Sequence, residues 1–227
     1  MDYILNIHTA TETAIVNICN GPEILATLFN PDTKQHASFL HTAIEQLLSE
    51  NKIQMHQLKA IGVSNGPGSY TGIRVGLAAA KGLSYALQIP MITFNTLEAM
   101  ALTTINEIKN ERAYYCPMID ARRMEVYTAV YNYHLKEMIP PQAMVLTGNS
   151  FEEISQQQEV VFFGNGSEKF KLLASDLKRI FSTVNEISSD SLGEIAWKKY
   201  LEHSFADIAY SEPLYLKDFH SNIENRN

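Results

Sequence analysis

The sequence predicts an α/β protein made of two similar lobes. Short runs rich in Ile, Leu and Val alternate with longer segments of helical periodicity, and the order of three strands, helix, strand and helix occurs twice, about 110 residues apart. The 227 residues are 45% hydrophobic and 19% charged, which is ordinary globular composition and excludes disordered, collagen-like and low-complexity chains. We therefore expect two lobes of about 100 residues each.

In the first half, a change of pattern marks each element. Asn20-Gly21-Pro22 separates two β-like runs, Pro31-Asp32-Thr33 opens a helix, and Gln88-Ile89-Pro90 ends the next helix. The first of these helices carries an apolar stripe formed by Ala37, Leu40, Ile44, Leu47 and Leu48. The predicted strands are residues 3–8, 13–19, 23–29, 60–64 and 91–94, and the predicted helices are residues 34–50 and 71–87.

The second half repeats this order. Its predicted strands are residues 114–119, 125–133, 142–146 and 160–163, and its predicted helices are residues 149–157, a segment starting at 167, and 191–204. A helix over residues 96–109 links the halves, so we expect one domain over residues 1–100 and a second over residues 101–227. The C-terminal segment either stays with the second lobe or returns to the first, and the polar end, residues 220–227, is expected to be mobile or ordered by a partner. Two consecutive βββαβα units are the architecture of the actin-like ATPase (ribonuclease H-like) fold, which places a nucleotide between the lobes.

Composition also restricts the function. Eighteen Lys and Arg against 25 Asp and Glu give a net charge of −7. Because affinity for nucleic acid rests mostly on Lys and Arg that neutralise phosphates, an acidic protein binds a phosphate backbone poorly. If the protein acts on nucleic acid, we expect it to do so through a partner. Cys19 and Cys116 are too few for a disulfide framework or a zinc site and fit a reducing compartment. No segment has the ~18 consecutive apolar residues of a membrane span, and the acidic start is unlike a signal peptide. We expect a cytoplasmic protein without a membrane partner.

A glycine-rich turn, Gly66-Pro67-Gly68-Ser69-Tyr70-Thr71-Gly72, lies between a predicted strand and a predicted helix. Such turns often hold phosphate on backbone N–H groups. This one matches neither the Walker A spacing nor the dinucleotide-binding spacing. The alternative is a tight turn whose Ser69 or Thr71 caps the helix, and the spacing alone does not decide between the two.

The helix after this turn has an unusual composition. It carries Gly72, Gly76 and Gly82, and each interior glycine costs about 1 kcal/mol relative to Ala, which indicates a close approach to the helix backbone. Arg74, Ala78, Lys81 and Tyr85 form one narrow stripe, and almost every other position is apolar or small, which is typical of a helix buried on more than one side. The alternatives are a small-residue core helix and a helical protein–protein interface.

Two observations favour the interface. Residues 51–97 contain no Asp or Glu but do contain Lys52, Lys59, Arg74 and Lys81. In the preceding helix, Phe39 and Ala43 point away from the apolar stripe and are expected on the outer surface. The predicted partner interface comprises Phe39, Ala43, Ser69, Tyr70, Thr71, Arg74, Val75, Gly76, Ala78, Ala79, Lys81 and Gly82.

The turn and its helix, continued by Ile73-Arg74-Val75-Gly76 and Ala79-Ala80-Lys81-Gly82-Leu83, closely resemble the signature of the TsaB (YeaZ) family. Three further motifs match in family order: Phe94-Asn95-Thr96-Leu97-Glu98-Ala99-Met100-Ala101, Ile119-Asp120-Ala121-Arg122-Arg123-Met124-Glu125-Val126-Tyr127 and Pro213-Leu214-Tyr215-Leu216-Lys217. The matches span essentially the whole chain.

The resemblance implies an actin-like, non-catalytic subunit of the bacterial machinery that makes N6-threonylcarbamoyladenosine at position 37 of tRNA. In that family the catalytic paralogue TsaD carries the metal and transfers the threonylcarbamoyl group, and the ATPase TsaE joins the pair. TsaB-type proteins also form homodimers through the helices that bind TsaD. The resemblance therefore implies TsaD and TsaE as partners and tRNA only as an indirect one.

The residues also indicate a degenerate nucleotide site. His8 stands where many actin-like relatives have Asp, and a neutral imidazole is a poor Mg²⁺ ligand. Asp120 is either a remnant phosphate-loop acid or an exposed hairpin residue. His36 and His41 lie five apart, unlike ligands on one helix face, and the cysteines are interpreted as buried structural thiols. We predict no catalytic residue, no cofactor and no metal site.

We thus expect docking on TsaD through the helices over residues 34–50 and 71–87, with Arg74 and Lys81 along the contact and Val75, Gly76 and Ala79 permitting close approach. Gly76→Trp is expected to block pairing in a folded monomer. The alternative function is a nucleotide-binding actin-like enzyme, a small-molecule kinase or ATPase, which calorimetry with Mg-ATP would detect.

Overall fold

The computed structural model describes residues 1–32, 35–173 and 179–217. Its elements follow the predicted order in both halves. The first half contains β1 (Tyr3–His8), β2 (Ala14–Asn20), β3 (Glu23–Asn30), α1 (His36–Glu50), β4 (Leu58–Ser64), α2 (Tyr70–Leu87), β5 (Met91–Phe94) and α3 (Thr96–Ile108). The second half contains β6 (Tyr114–Asp120), β7 (Glu125–Tyr131), β8 (Glu137–Val145), α4 (Glu152–Gln157), β9 (Val160–Phe163), α5 (Ser167–Leu173), β10 (Ile180–Phe181) and α6 (Ser189–Leu201).

The strands form two mixed sheets of five strands with the same topology. The first has the order β3-β2-β1-β4-β5 and the second the order β10-β9-β6-β7-β8. In each lobe the first three strands are antiparallel neighbours, and the next two pair in parallel on the other side of the first strand. The repeat predicted from pattern alone is therefore present, and the fold is the two-lobed, actin-like α/β architecture.

Helices cover both faces of the first sheet. α1 and α2 pack on one face, where Leu5, Ile7, Val16, Ile61 and Val63 meet the apolar side of each helix. α6 packs on the other face against β1, β2, β3 and β5, although it comes last in the chain. α3 packs on β6 and β7 of the second sheet and also touches α6. Each lobe is thus covered partly by a helix that follows the other lobe's strands in sequence.

Some predicted boundaries are wrong for identifiable reasons. β8 begins at Glu137 instead of residue 142 because Pro140 and Pro141, which argue against a strand, lie at the edge of the sheet, where a missing N–H is tolerated. β10 has two residues and was too short to be recognised. α6 begins two residues before the prediction because Ser188 caps it, its hydroxyl accepting a hydrogen bond from the Ser191 N–H. Residues 33–34, at the predicted start of α1, and the predicted polar end, residues 220–227, lie outside the described residues.

Candidate functional site

The start of α2 is fastened to the turn that follows β1. The Ser69 N–H donates to the Ala10 carbonyl (2.7 Å), and the Thr9 hydroxyl donates to the Gly72 carbonyl (2.7 Å). The Ser69 hydroxyl caps the helix by accepting from the Gly72 N–H. The glycine-rich turn is therefore a capped, tightly packed connection.

Two of the three glycines of α2 serve this internal packing. A side chain at Gly72 would overlap the Thr9 carbonyl oxygen, and one at Gly76 would overlap the Thr9 hydroxyl. The molecule that closely approaches this part of the helix backbone is thus the protein itself, through the end of β1. Gly82 differs, because an added Cβ there would meet nothing within 4 Å.

The predicted interface residues therefore divide by exposure. Ser69, Tyr70, Thr71, Arg74, Ala78 and Gly82 are exposed; Phe39, Val75, Ala79 and Lys81 are half-buried; Ala43 and Gly76 are buried. With the exposed Tyr85 and Ala86, the first group forms one outward side of α2, which we call the α2 face.

Ala43 and Gly76 are corrections. Ala43 is 1% exposed and belongs to the core between α1 and the first sheet, and Phe39 packs partly against that core, so neither stands out from the surface as expected. Gly76 faces β1, so Gly76→Trp would disrupt the monomer and does not test docking. Helical angles alone misplaced both residues because they do not show how far the first sheet and the turn after β1 cover each helix.

The C-terminal segment borders the α2 face; the sequence left open a return of this segment to the first lobe but did not indicate this contact. Lys81 Nζ donates to the Ala209 carbonyl (3.2 Å), and Arg74 Nε donates to the Tyr215 hydroxyl (2.8 Å). The Leu214 N–H donates to the Asn65 carbonyl (2.7 Å). The motif that contains Leu214 and Tyr215 was the only sequence signal for this contact, and it did not indicate what the segment touches.

Aromatic rings hold the Arg74 side chain. Its guanidinium carbon lies 4.0 Å from the centre of the Tyr70 ring and 5.8 Å from that of Tyr215. The two rings are tilted with their centres 5.6 Å apart, and they are 43% and 37% exposed. Arg74 therefore stands at the surface in a fixed position.

A cleft of about 1470 Å³ separates the lobes. The glycine-rich turn and the turn after β1 line one side, and the β6–β7 turn with Asp120, Arg122 and Arg123 lines the other. The segment containing Leu214–Lys217 borders it as well. An actin-like enzyme holds Mg²⁺ and nucleotide in this place, so the groups here test whether this chain can do the same.

His8 does not fit an Mg²⁺ site. It is fully buried, with Nδ1 2.9 Å from the Ser64 hydroxyl and Nε2 2.8 Å from the Thr11 hydroxyl. Burial, with the nearby His36 as a second cause, lowers the pKa of His8 to about 3, so the imidazole is neutral at physiological pH. A neutral ring with both nitrogens hydrogen-bonded offers no hard oxygen to a magnesium ion.

Asp120 is engaged by a neighbouring lysine. Its carboxylate lies 2.6 Å from Lys169 Nζ and accepts a hydrogen bond from the Arg122 N–H (2.6 Å). Partial burial raises the pKa of Asp120, but these hydrogen bonds and the lysine charge outweigh it, and the net shift is downward. Asp120 is therefore an exposed, ion-paired hairpin residue, and neither it nor His8 offers an unpaired carboxylate to a magnesium ion.

The remaining candidate ligands are structural. His36 is buried and lies 3.1 Å from the Glu12 carbonyl, whereas His41 is exposed. Cys19 and Cys116 are buried free thiols, and burial raises the pKa of Cys19 to about 11 and that of Cys116 to about 12. Within residues 1–32, 35–173 and 179–217, no three His, Cys, Asp or Glu side chains are arranged to hold a metal ion.

None of the helices in the described part of the chain has the length and apolar character needed to cross a membrane.

Comparison with known proteins identifies relatives over most of the chain. Residues 23–222 match the family described as TsaD: tRNA N6-adenosine threonylcarbamoyltransferase. The tRNA threonylcarbamoyladenosine biosynthesis protein TsaB of Escherichia coli K12 is 28% identical over 95% of this chain and 94% of its own length. TsaB of Buchnera aphidicola (Baizongia pistaciae) is 31% identical over 78% of this chain and 84% of its own length. TsaB of Bacillus subtilis 168 is 29% identical over 77% of this chain and 76% of its own length.

Solved structures agree on the fold. YeaZ from Pseudomonas aeruginosa superposes with a TM-score of 0.80 at 20% identity, covering 95% of this chain and all of that one. Another chain, described as similar to peptidase YEAZ from the same organism, gives a TM-score of 0.84 at 21% identity, with 96% of this chain and all of that one covered. The chain therefore belongs to the TsaD-related family, as a member of its TsaB (YeaZ) group.

Proposed function

We propose that this protein is a non-catalytic subunit in tRNA threonylcarbamoyladenosine biosynthesis, which docks on a TsaD-type protein through the α2 face. The observation that carries the proposal is the composition of that face. Small residues at Thr71, Ala78, Gly82 and Ala86 are exposed along four turns of helix, with Tyr85, 80% exposed, at the far end. Small side chains let a second helix approach closely, and exposed aromatic rings are typical of protein interfaces.

Charge supports a heteromeric role. Residues 51–97 contain no acid, although the chain as a whole carries −7. On an acidic protein, an acid-free stretch that contains α2 and carries Arg74 favours a partner with an acidic surface. The same net charge disfavours direct binding of a tRNA backbone, so in this proposal the partner holds the tRNA and the protein supports it from the side.

The groups in the cleft support a non-catalytic role. His8 is neutral and fully hydrogen-bonded, and Asp120 is paired with Lys169. A catalytic actin-like protein needs a carboxylate and phosphate-binding groups in these places, so the chemistry is assigned to TsaD. In this proposal TsaE joins the TsaD pair, and the protein alone forms a homodimer through α1 and α2. The free thiols Cys19 and Cys116 fit the cytoplasm.

Gly82→Trp tests the docking. Because Gly82 faces open space, the indole adds bulk to the α2 face without disturbing the core. We expect pull-down with the TsaD protein of the same genome to fall at least tenfold and tRNA threonylcarbamoylation by the mixture to fall with it.

Gln157→Trp, on the exposed side of α4 in the second lobe, is the matched control. Neither variant should unfold at a lower temperature than the wild type, and the control should bind TsaD normally. Undiminished binding of a folded Gly82→Trp variant contradicts docking through α2.

A further inference from the structure

Arg74 is held from two directions by parts of the chain that are far apart in sequence. Tyr70 supplies a ring from the same helix turn. Tyr215, which lies 141 residues after Arg74, supplies a second ring and a hydroxyl that accepts a hydrogen bond from Arg74 Nε at 2.8 Å. A planar guanidinium stacked on aromatic rings loses little further freedom when it binds a partner. The arrangement is that of a preorganised binding group.

The segment that carries Tyr215 is itself anchored on both sides of the cleft. The Leu214 N–H donates to the Asn65 carbonyl in the first lobe, and Lys217 Nζ forms an ion pair with Glu125 and a hydrogen bond to the Ala121 carbonyl (3.1 Å) in the second. We call residues 211–217 the strap. Because the strap is bonded on both sides of Tyr215, at Leu214 and at Lys217, the position of the Tyr215 hydroxyl is fixed as well.

The charge of Arg74 is left uncompensated by this arrangement. The ion pairs formed among the described residues join Lys169 to Asp120, Lys199 to Glu98 and Lys217 to Glu125, and Arg74 takes part in none of them. Arg74 is exposed, so its guanidinium can be reached by a planar anion of a partner. A carboxylate matches a guanidinium with two parallel hydrogen bonds.

We infer that Arg74 is the anchor of the docking surface and binds an Asp or Glu side chain of the TsaD-type partner, and that the strap positions it through Tyr215. This inference rests on the proposed docking function. In a homodimer that places α2 against α2, the second copy would bring only Arg74 and Lys81, both basic, opposite Arg74, whereas the exposed Glu45 and Glu50 lie on α1. In that arrangement the anchor favours the heteromeric pair over the homodimer.

The test measures the affinity for TsaD by titration calorimetry at a series of NaCl concentrations from about 50 to about 500 mM. These concentrations lie below and above the physiological ionic strength of about 150 mM. We expect Arg74→Gln to weaken binding at low salt by about tenfold and to flatten the salt dependence, as removal of one buried or partly buried charged contact does. Arg74→Lys should also weaken binding, because an ammonium cannot stack or bind two oxygens in one plane. Self-association of Arg74→Gln should equal or exceed that of the wild type.

Lys59→Gln is the charge-matched control, because Lys59 is exposed at the start of β4, is not one of the α2-face residues, and its loss changes the net charge equally. Tyr215→Phe keeps the ring and removes the hydroxyl. We expect it to weaken binding a few-fold in the wild type and to have no effect in the Arg74→Gln background, because a positioning residue acts only through the group that it positions.

The outcomes separate this inference from the docking proposal. If Arg74→Gln binds TsaD as tightly as Lys59→Gln does while Gly82→Trp does not bind, the docking holds and the anchor is wrong. If Tyr215→Phe weakens binding equally in both backgrounds, the positioning role is wrong. If Gly82→Trp binds as well, the docking itself fails, and the anchor fails with it.

Discussion

The His8 side chain occupies a site that suits a neutral hydrogen-bonding group and no charge. Its two ring nitrogens contact the hydroxyls of Ser64 and Thr11, and the side chain is fully buried at the end of β1. An imidazolium there would lose its hydration and lie near His36, which also opposes protonation. His8, which most clearly distinguishes this cleft from a magnesium site, therefore also makes the stability of the folded protein depend on pH.

We predict that His8 makes the protein acid-sensitive. Its pKa is about 3 when folded, against 6.5 as the ordinary value, so the unfolded chain binds the extra proton first as the pH falls. The stability that depends on neutral His8 is complete above pH 6.5 and is lost as the pH falls from there toward 3. At pH 5 the loss is about 2 kcal/mol relative to pH 7 or above, from 1.36 kcal/mol per pKa unit.

Urea unfolding of the wild type and His8→Gln at several pH values measures this. Glutamine keeps a neutral hydrogen-bonding side chain, so the variant should lose about 2 kcal/mol less between pH 7 and pH 5, whatever its stability at pH 7. His41→Gln, at an exposed position on α1, is the control and should follow the wild type. Parallel curves for the wild type and His8→Gln would show that His8 is not the source of the acid sensitivity.

At the scale of the element, α2 has two sides with opposite requirements. Its inner side needs glycine because the end of β1 touches the helix backbone at Gly72 and Gly76. Its outer side has room for larger residues in the monomer, at Gly82 above all, where an added Cβ meets no atom within 4 Å. An exposed glycine inside a helix costs about 1 kcal/mol relative to Ala, and no contact within this chain requires Gly82.

Alanine substitutions on the two sides should therefore change stability in opposite directions. Gly82→Ala removes backbone freedom from the unfolded chain and meets no atom within 4 Å, so we expect the free energy of unfolding to rise by about 1 kcal/mol. Gly76→Ala forces the Thr9 hydroxyl from its hydrogen bond to the Gly72 carbonyl, so we expect a loss of about 1–3 kcal/mol. Chemical denaturation measures both. A stabilised Gly76→Ala variant would mean that Thr9 can move aside without cost.

The elements of this fold were predictable because their signals are local. Within the residues that the structure describes, hydrophobic periodicity, the caps and the proline stops placed fifteen of the sixteen α-helices and strands, and the one omitted, β10, has two residues. The site was less predictable because it depends on contacts between distant segments. Thr9 explains Gly76, and Tyr215 explains Arg74, yet these partners lie 67 and 141 residues away in the sequence. No spacing rule connects such pairs before the chain is folded.

At the scale of the whole molecule, the chain crosses between its lobes more than once. α3 leads from the first sheet to the second, α6 returns to the first sheet, and the strap then touches both. The division at residue 100 stays a prediction, but packing by α6 makes the first lobe depend on residues from the end of the chain. The strap thus links the second-lobe side of the cleft to the α2 face, because Lys217 contacts the β6–β7 turn and Tyr215 contacts Arg74.

This linkage predicts that a change that weakens the contacts of the strap with the second lobe also weakens its contacts with the first lobe. Lys217→Met removes the ion pair with Glu125 and the hydrogen bond to Ala121 while keeping an apolar stem of similar length over Tyr127. Lys217 and Glu125 are each about a third exposed, so the pair is worth about 1 kcal/mol or less, and opening of the strap should become about two- to fivefold more frequent. Amide hydrogen exchange at Leu214, whose N–H is bonded to Asn65 on the other side of the cleft, should accelerate by that factor.

Lys169→Met is the control, because its ion pair with Asp120 lies within the second lobe and its loss should leave Leu214 exchange unchanged. Equal exchange at Leu214 in the wild type and Lys217→Met would mean that the first-lobe end of the strap is held independently of the second, and that the lobes are coupled only through α3 and α6.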